Sequence, residues 1–269
     1  MKNEKDIVAG LGEIGNPILK LLSKSRFVLG YDINPELVDK NKFQKYEKYN
    51  TKFLHICIPF NEKFNSNVIH LVKKFDPSIL VIHSTISPYT TKILQKKLSI
   101  SVIYSATRGV HKRMFSDLKK YTKFYALENN APKKQWASLE FSKLMKKCGV
   151  KTKKISDPIT LELAKIVIDT SYYGWLINYA QISNLIAKKH KVDYDEMWSF
   201  SDEIQKYLGN RPKLFPGFIG GHCVIPNLSL INEESLWEIE KINNIYSKKV
   251  KDAKSIAKKY TKGKQSYDK

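Results

Sequence analysis

Two glycine-rich stretches hold the residues of this chain best suited to chemistry. The first is Gly10-Leu11-Gly12-Glu13-Ile14-Gly15, which fits G-x-G-x-x-G. It follows an apolar strand, opens a helix, and is answered by Asp32 at the end of the second strand, 17 residues past Gly15. Gly10 permits a tight turn, Gly12 lets the backbone approach a pyrophosphate, and Gly15 lets helix and strand pack closely. The helix start offers unpaired N–H groups to phosphates. Asp32 accepts hydrogen bonds from ribose hydroxyls and repels a 2′-phosphate, so the expected cofactor is NAD, bound by Gly10, Leu11, Gly12, Glu13, Ile14, Gly15 and Asp32. A ligand-free turn and a methyltransferase turn holding S-adenosylmethionine are the competing readings. The second stretch is Phe215-Pro216-Gly217-Phe218-Ile219-Gly220-Gly221-His222-Cys223-Val224-Ile225-Pro226. It sets a thiol in a loop whose backbone amides can approach a substrate. An ionised cysteine is a good nucleophile, and such amides can stabilise an oxyanion. A buried, inert cysteine is the competing reading.

The elements that must position these groups follow from periodicity. Strands are expected at Ile7–Ala9, Phe27–Tyr31, Phe53–Ile58, Ile79–His83, Val102–Tyr104 and Phe124–Leu127. Helices are expected near 13–23, 65–75, 89–97 and 132–148. Alternating strands and helices predict an α/β, doubly wound parallel sheet. After Asp157-Pro158 the pattern becomes helical: a long helix over about 160–190, a second over about 194–208, an irregular Pro/Gly segment, and a last helix over about 233–260. The expected organisation is a Rossmann-type domain over 1–155 and an all-helical dimerisation and catalytic domain over 156–269.

Composition narrows the class. Hydrophobic residues make up 42% of 269, a globular proportion. No run approaches the roughly 18 apolar residues of a membrane span. The start MKNEKD leads straight into a strand, leaving no room for a signal peptide. Cys57, Cys148 and Cys223 stand at unrelated spacings that fit neither a disulfide framework nor a zinc site. A cytoplasmic location and no metal are expected. The 47 Lys+Arg against 26 Asp+Glu give a net charge of +21. This favours anionic ligands in general, and the lysines of 248–264 read as a solvated face, with no nucleic acid or membrane expected as a partner.

The order of motifs resembles the UDP-glucose/GDP-mannose dehydrogenase family. The resemblance rests on the Gly220-Gly221-His222-Cys223 loop and on Phe53–Pro59. It rests also on Ser84-Thr85-Ile86-Ser87-Pro88-Tyr89-Thr90-Thr91, where Tyr89 replaces the usual glycine, and on Leu163–Thr170 opening the long helix. It implies an NAD-dependent oxidation of a sugar alcohol and aldehyde, with Cys223 forming a thiohemiacetal. It implies that Lys165 stabilises the oxyanion and that Pro59, Ser84 and Thr85 stand beside the cofactor, Thr85 near a catalytic water. Lys165 and Asp169, four apart, would share a helix face. The implied substrate is a small anionic one, a sugar nucleotide or sugar phosphate. The long helix, with Tyr172, Tyr173, Trp175 and Tyr179 as core or subunit contacts, implies a homodimer.

The chain also departs from the family. Asp169 stands for the usual Asn, and Asn227 for the usual Asp four residues after the cysteine, a swap that keeps one acid and one amide among the implied catalytic residues. Thr107 stands where the family has a water-activating glutamate, and threonine is a poor general base. Nearby Arg108 and His111 are suited to bind an anion, and His111 to act as the base. Only 46 residues follow Cys223, so the resemblance is to a truncated member without the C-terminal UDP-binding domain. A non-catalytic nucleotide-binding relative is the alternative. His83 reads as a satisfied core histidine and His222 as a loop-packing residue.

Overall fold

The computed structural model describes residues 3–221 and 223–250. Packing divides the chain after Lys165 into two units, ten residues beyond the expected boundary.

The first unit alternates β1 (Glu4–Ala9), α1 (Gly15–Leu22), β2 (Val28–Tyr31), α2 (Lys40–Lys45), β3 (Asn50–Ile56), α3 (Phe64–Phe75), β4 (Ile79–Ile82), α4 (Thr90–Lys97), β5 (Ser101–Tyr104), α5 (Met114–Lys120), β6 (Lys123–Leu127), α6 (Lys134–Lys147), β7 (Thr152–Lys154) and α7 (Pro158–Leu163). The strands form one sheet in the order β2-β1-β3-β4-β5-β6-β7. Neighbouring strand residues point to opposite faces. Val8 and Phe53 therefore join one apolar core with α1, α5 and α6, while Ile7 and Leu54 join the other with α3 and α4. All four residues of β4 are buried, as expected of a strand covered on both faces.

The sheet is not parallel throughout, because β6 runs antiparallel to β5. The helix between them, α5, has seven residues, about 10 Å of rise. That is too short to return the chain to the opposite edge of the sheet. Consequently β6 begins at the edge where the parallel strands end.

Residues 158–190 are helical throughout: α7, a π-helical stretch Ala164–Ser171, and α8 (Tyr172–His190). Asp157 caps the start, accepting from Thr160 N–H at 2.9 Å, with Pro158 in the first turn. In the second unit, α9 (Tyr194–Ser199) and α10 (Asp202–Leu208) replace the single helix expected there. The break falls where Ser199 and Ser201 hydroxyls bond carbonyls three residues back, a local competitor of helical pairing. The short α11 (Ile225–Leu228) and then α12 (Glu234–Lys249) follow. The rest of the expected last helix, and most of the 248–264 lysine run, lie outside the described residues, as does His222. Among the described residues no helix is long and apolar enough to cross a membrane, and no cluster of ligating side chains could hold a metal.

Candidate active site

The glycine turn leaves β1, whose neighbours β2 and β3 lead to opposite sides of the sheet. Such a reversal point is where open α/β sheets take ligands. Gly10 has φ +90, and a Cβ there would lie 2.8 Å from the Cys57 carbonyl. A Cβ on Gly15 would lie 1.6 Å from the Gly10 oxygen. These two glycines are thus consumed by the turn itself. Gly12 differs: it is exposed, and a Cβ there would meet nothing within 4 Å. The structure therefore leaves open the one position where a pyrophosphate needs close backbone approach. Asp32 binds the turn directly. Its Oδ2 accepts from Leu11 N–H at 2.6 Å and its Oδ1 from Asn34 N–H at 2.9 Å. The carboxylate keeps further lone pairs for hydroxyls. These features fit a dinucleotide held by Gly12, the start of α1 and Asp32.

The neighbouring strand ends carry the other expected cofactor residues. Pro59 is exposed and Thr85 half-buried, while Ser84 donates from Oγ to the Ile58 carbonyl at 2.6 Å. Cys57 is only partly exposed, and burial pushes its thiol up to about 12; it is not a nucleophile in this state. Tyr89 has φ +69, the left-handed conformation that glycine adopts without strain. It is held there by Glu162, which nothing in the sequence singled out. Glu162 is fully buried and accepts from Tyr89 N–H at 2.6 Å and from Thr91 N–H at 2.9 Å. A carboxylate thus caps α4 from 71–73 residues away. Burial raises its pKa, and these hydrogen bonds oppose the rise.

The segment after β5 carries Thr107, Arg108 and His111. Arg108 donates to the Thr122 carbonyl at 2.7 Å and lies over the Phe124 ring at 4.9 Å. His111 Nδ1 lies 2.7 Å from Glu13 Oε2. The Glu13 partner of His111 is exposed, and the loop between Arg108 and His111 is tied to buried Asp117, which accepts from Val110 N–H at 2.9 Å. Thr107 is buried, as are His55 and His83. His83 lies 2.9 Å from His55 and 3.2 Å from the Ser105 carbonyl.

Lys165 closes the first unit, and Asp169, Cys223 and Asn227 belong to the second. Lys165 and Asp169 are half-buried on the π-helical stretch, where Thr170 and Ser171 hydroxyls both donate to the Ile166 carbonyl. Such π-bulges recur at functional sites. Cys223 is exposed and Asn227 half-buried. The loop leading to Cys223 is fixed by a buried amide network. Gln181 donates to the Gly217 carbonyl at 2.7 Å and to Asn243 Oδ1 at 3.0 Å. Asn243 clasps Ile219 through its N–H at 2.8 Å and its carbonyl at 3.1 Å. Tyr246 donates to the Pro216 carbonyl at 3.0 Å. Backbone groups of Pro216, Gly217 and Ile219 are thereby satisfied in a loop that has no regular ladder. The aromatic residues of α8 are not core: Tyr172, Tyr173, Trp175 and Tyr179 are 37–62% exposed.

No protein-family model matches the chain, and no curated protein matches it in sequence. Solved structures match its fold. The UDP-D-ManNAc dehydrogenase of Pyrococcus horikoshii superposes with a TM-score of 0.73 at 19% identity, over 90% of this chain and 68% of that one. The UDP-N-acetyl-mannosamine dehydrogenase of Staphylococcus aureus gives 0.66 at 20%, over 92% and 69%. The 3-hydroxyisobutyrate dehydrogenase of Mycobacterium tuberculosis gives 0.66 at 12%, over 97% of this chain and 99% of that one. At these identities the likeness is one of fold.

Proposed function

We propose that the chain is an NAD-dependent oxidoreductase acting on an alcohol or aldehyde group of a small anionic, sugar-like substrate. The observation that carries this reading is the Gly12 position, open on a turn whose other two glycines are used by the fold, with Asp32 bound to the same turn. The dinucleotide, when bound, supplies the hydride acceptor. Asp32 selects it by accepting from a free 2′-hydroxyl and repelling a 2′-phosphate. Cys223 is the proposed nucleophile, adding its thiolate to an aldehyde carbon, with the amides of its loop stabilising the oxyanion. Lys165 assists as a cation, and Asp169, Asn227 and Thr85 are proposed as polar partners of the reacting groups. The dehydrogenase fold and the family resemblance of the cysteine loop support these roles. We also propose that a second copy of the chain covers the exposed apolar face of the long helix. Ile168, Tyr172, Trp175, Tyr179, Ile182 and Ile186 are all exposed there, at the alternating four and three spacing of a helix-pairing seam.

The test incubates the protein with NAD and a panel of UDP- and GDP-sugars, sugar phosphates and 3-hydroxy acids, following the absorbance of reduced nicotinamide. Formation of NADH that is lost in Cys223→Ala while NAD binding persists is the expected result. The ratio of NADH to product counts the oxidations. Binding of S-adenosylmethionine in preference to NAD would overturn the proposal.

A further inference from the structure

Because β6 runs back from the edge where the parallel strands end, its first residue, Lys123, meets the loop Ser105–Thr107. The residue is 6% exposed. Its Nζ lies 2.9 Å from the Ser105 carbonyl, 3.4 Å from the Ala106 carbonyl and 3.5 Å from Thr107 Oγ1. Among the described residues no carboxylate pairs with it. The charged and titratable groups that face it are Cys57, Arg108 and Lys165, together with the two histidines. The Ser105 carbonyl is shared with His83. Burial holds both rings below the usual imidazole range and pushes the Cys57 thiol up, so both rings are neutral and Cys57 is a thiol. A carbonyl only accepts, so neutral His83 donates from Nδ1 and its Nε2 accepts from His55 Nδ1–H.

The three oxygens around Nζ are not equivalent. Two are carbonyls that only accept, and the third is a hydroxyl that donates or accepts. A neutral amine, with two N–H groups and one lone pair, is satisfied by the two carbonyls and the Thr107 O–H. An ammonium, with three N–H groups, is satisfied by the same three oxygens. We infer that Lys123 and Thr107 form a proton-holding pair, in which the amine takes up a proton delivered through the Thr107 hydroxyl and the ammonium returns it by the same path.

Burial brings the Lys123 ammonium down to about 7, with the Arg108 and Lys165 charges contributing. Both forms are then populated near neutrality, the condition for efficient acid–base work. Thr107 stands where the family resemblance expects a glutamate, and the pair supplies the base that threonine alone does not. A water at this loop gives one proton to Thr107 Oγ, and Thr107 passes its own to Nζ. The water's electron pair stays on the resulting hydroxide, and Thr107 ends unchanged. Only this use rests on the dehydrogenase reading.

The experiment is an NMR titration of the substrate-free protein labelled with ε-¹³C lysine. One lysine signal is expected with a midpoint near 7 rather than about 10.4, absent in Lys123→Arg. In Thr107→Val the midpoint drops, because the ammonium needs the lost oxygen more than the amine does; in Thr107→Ser it stays. Lysine signals that all titrate near 10, or a low midpoint unmoved in Thr107→Val, overturn the pair. Should Lys123→Arg fail to fold, the two Thr107 variants decide alone. A titration as expected without NADH formation from any substrate leaves the pair standing and removes the dehydrogenase reading instead. Where turnover is found, Lys123→Arg loses the acid-forming step and the low-pH limb of its rate profile.

Discussion

The glycine turn makes opposite forecasts for two alanine substitutions three residues apart. At Gly12 the added methyl meets no protein atom within 4 Å, and the backbone is not left-handed. Gly12→Ala should therefore fold normally. It should even gain about 0.4–1 kcal/mol from the restricted unfolded chain, a rise of up to roughly 2–4 °C in melting temperature for a protein of this size. The same methyl stands where the cofactor phosphates approach. An overpacked contact costs about 1–3 kcal/mol, so NAD should bind about 5- to 140-fold more weakly. At Gly15 the new Cβ would sit 1.6 Å from the Gly10 oxygen and 2.8 Å from its carbonyl carbon. Helix α1 must then separate from β1, a cost above the usual overpacking range, and the melting temperature should drop by at least roughly 6 °C. Thermal unfolding by circular dichroism and calorimetric titration with NAD read both variants. Wild-type NAD affinity in Gly12→Ala would show that the phosphates do not pass over this residue. A wild-type melting temperature in Gly15→Ala would refute the packing argument.

Two more outcomes are expected. Burial holds His55 down to about 3 and His83 well below its usual range, the Lys123 charge adding to both. The unfolded chain takes up these protons near 6.5, so stability is full above about pH 6.5 and is lost as the pH falls toward 3, by up to about 1.4 kcal/mol per pH unit for each histidine. Urea midpoints between pH 7.5 and 5 should fall more steeply for the wild type than for His55→Phe. Glu162 and Asp6, raised by burial, oppose this slope equally in both proteins, and identical slopes would refute the argument. The exposed seam on the long helix predicts a dimer in sedimentation that Tyr179→Glu, with a charge placed at a 62%-exposed position, converts to half the mass. A wild type that sediments as a monomer removes the proposed second copy.

Some of this molecule was legible in the sequence because it depends on neighbours along the chain. The strand–glycine–helix start is written in consecutive residues, as is the long helix with its Asp157-Pro158 start. Gly220 and Gly221 beside Cys223 mark the cysteine loop in the same way. Asp32 too was found from spacing alone, though its bond to the Leu11 amide was not. What tertiary structure decided depends on residues that carry no local pattern. Glu162 looks like any helix glutamate until Tyr89 and Thr91 reach it across 73 and 71 residues. Gln181 and Asn243 look like surface amides until the cysteine loop folds between them. Arg108 and His111 stand out in the sequence, but their partners Thr122 and Glu13 do not. Lys123 is one lysine among many in the sequence. It becomes a buried amine because a seven-residue helix cannot recross the sheet, so β6 reverses and carries the side chain away from water to three neutral oxygens.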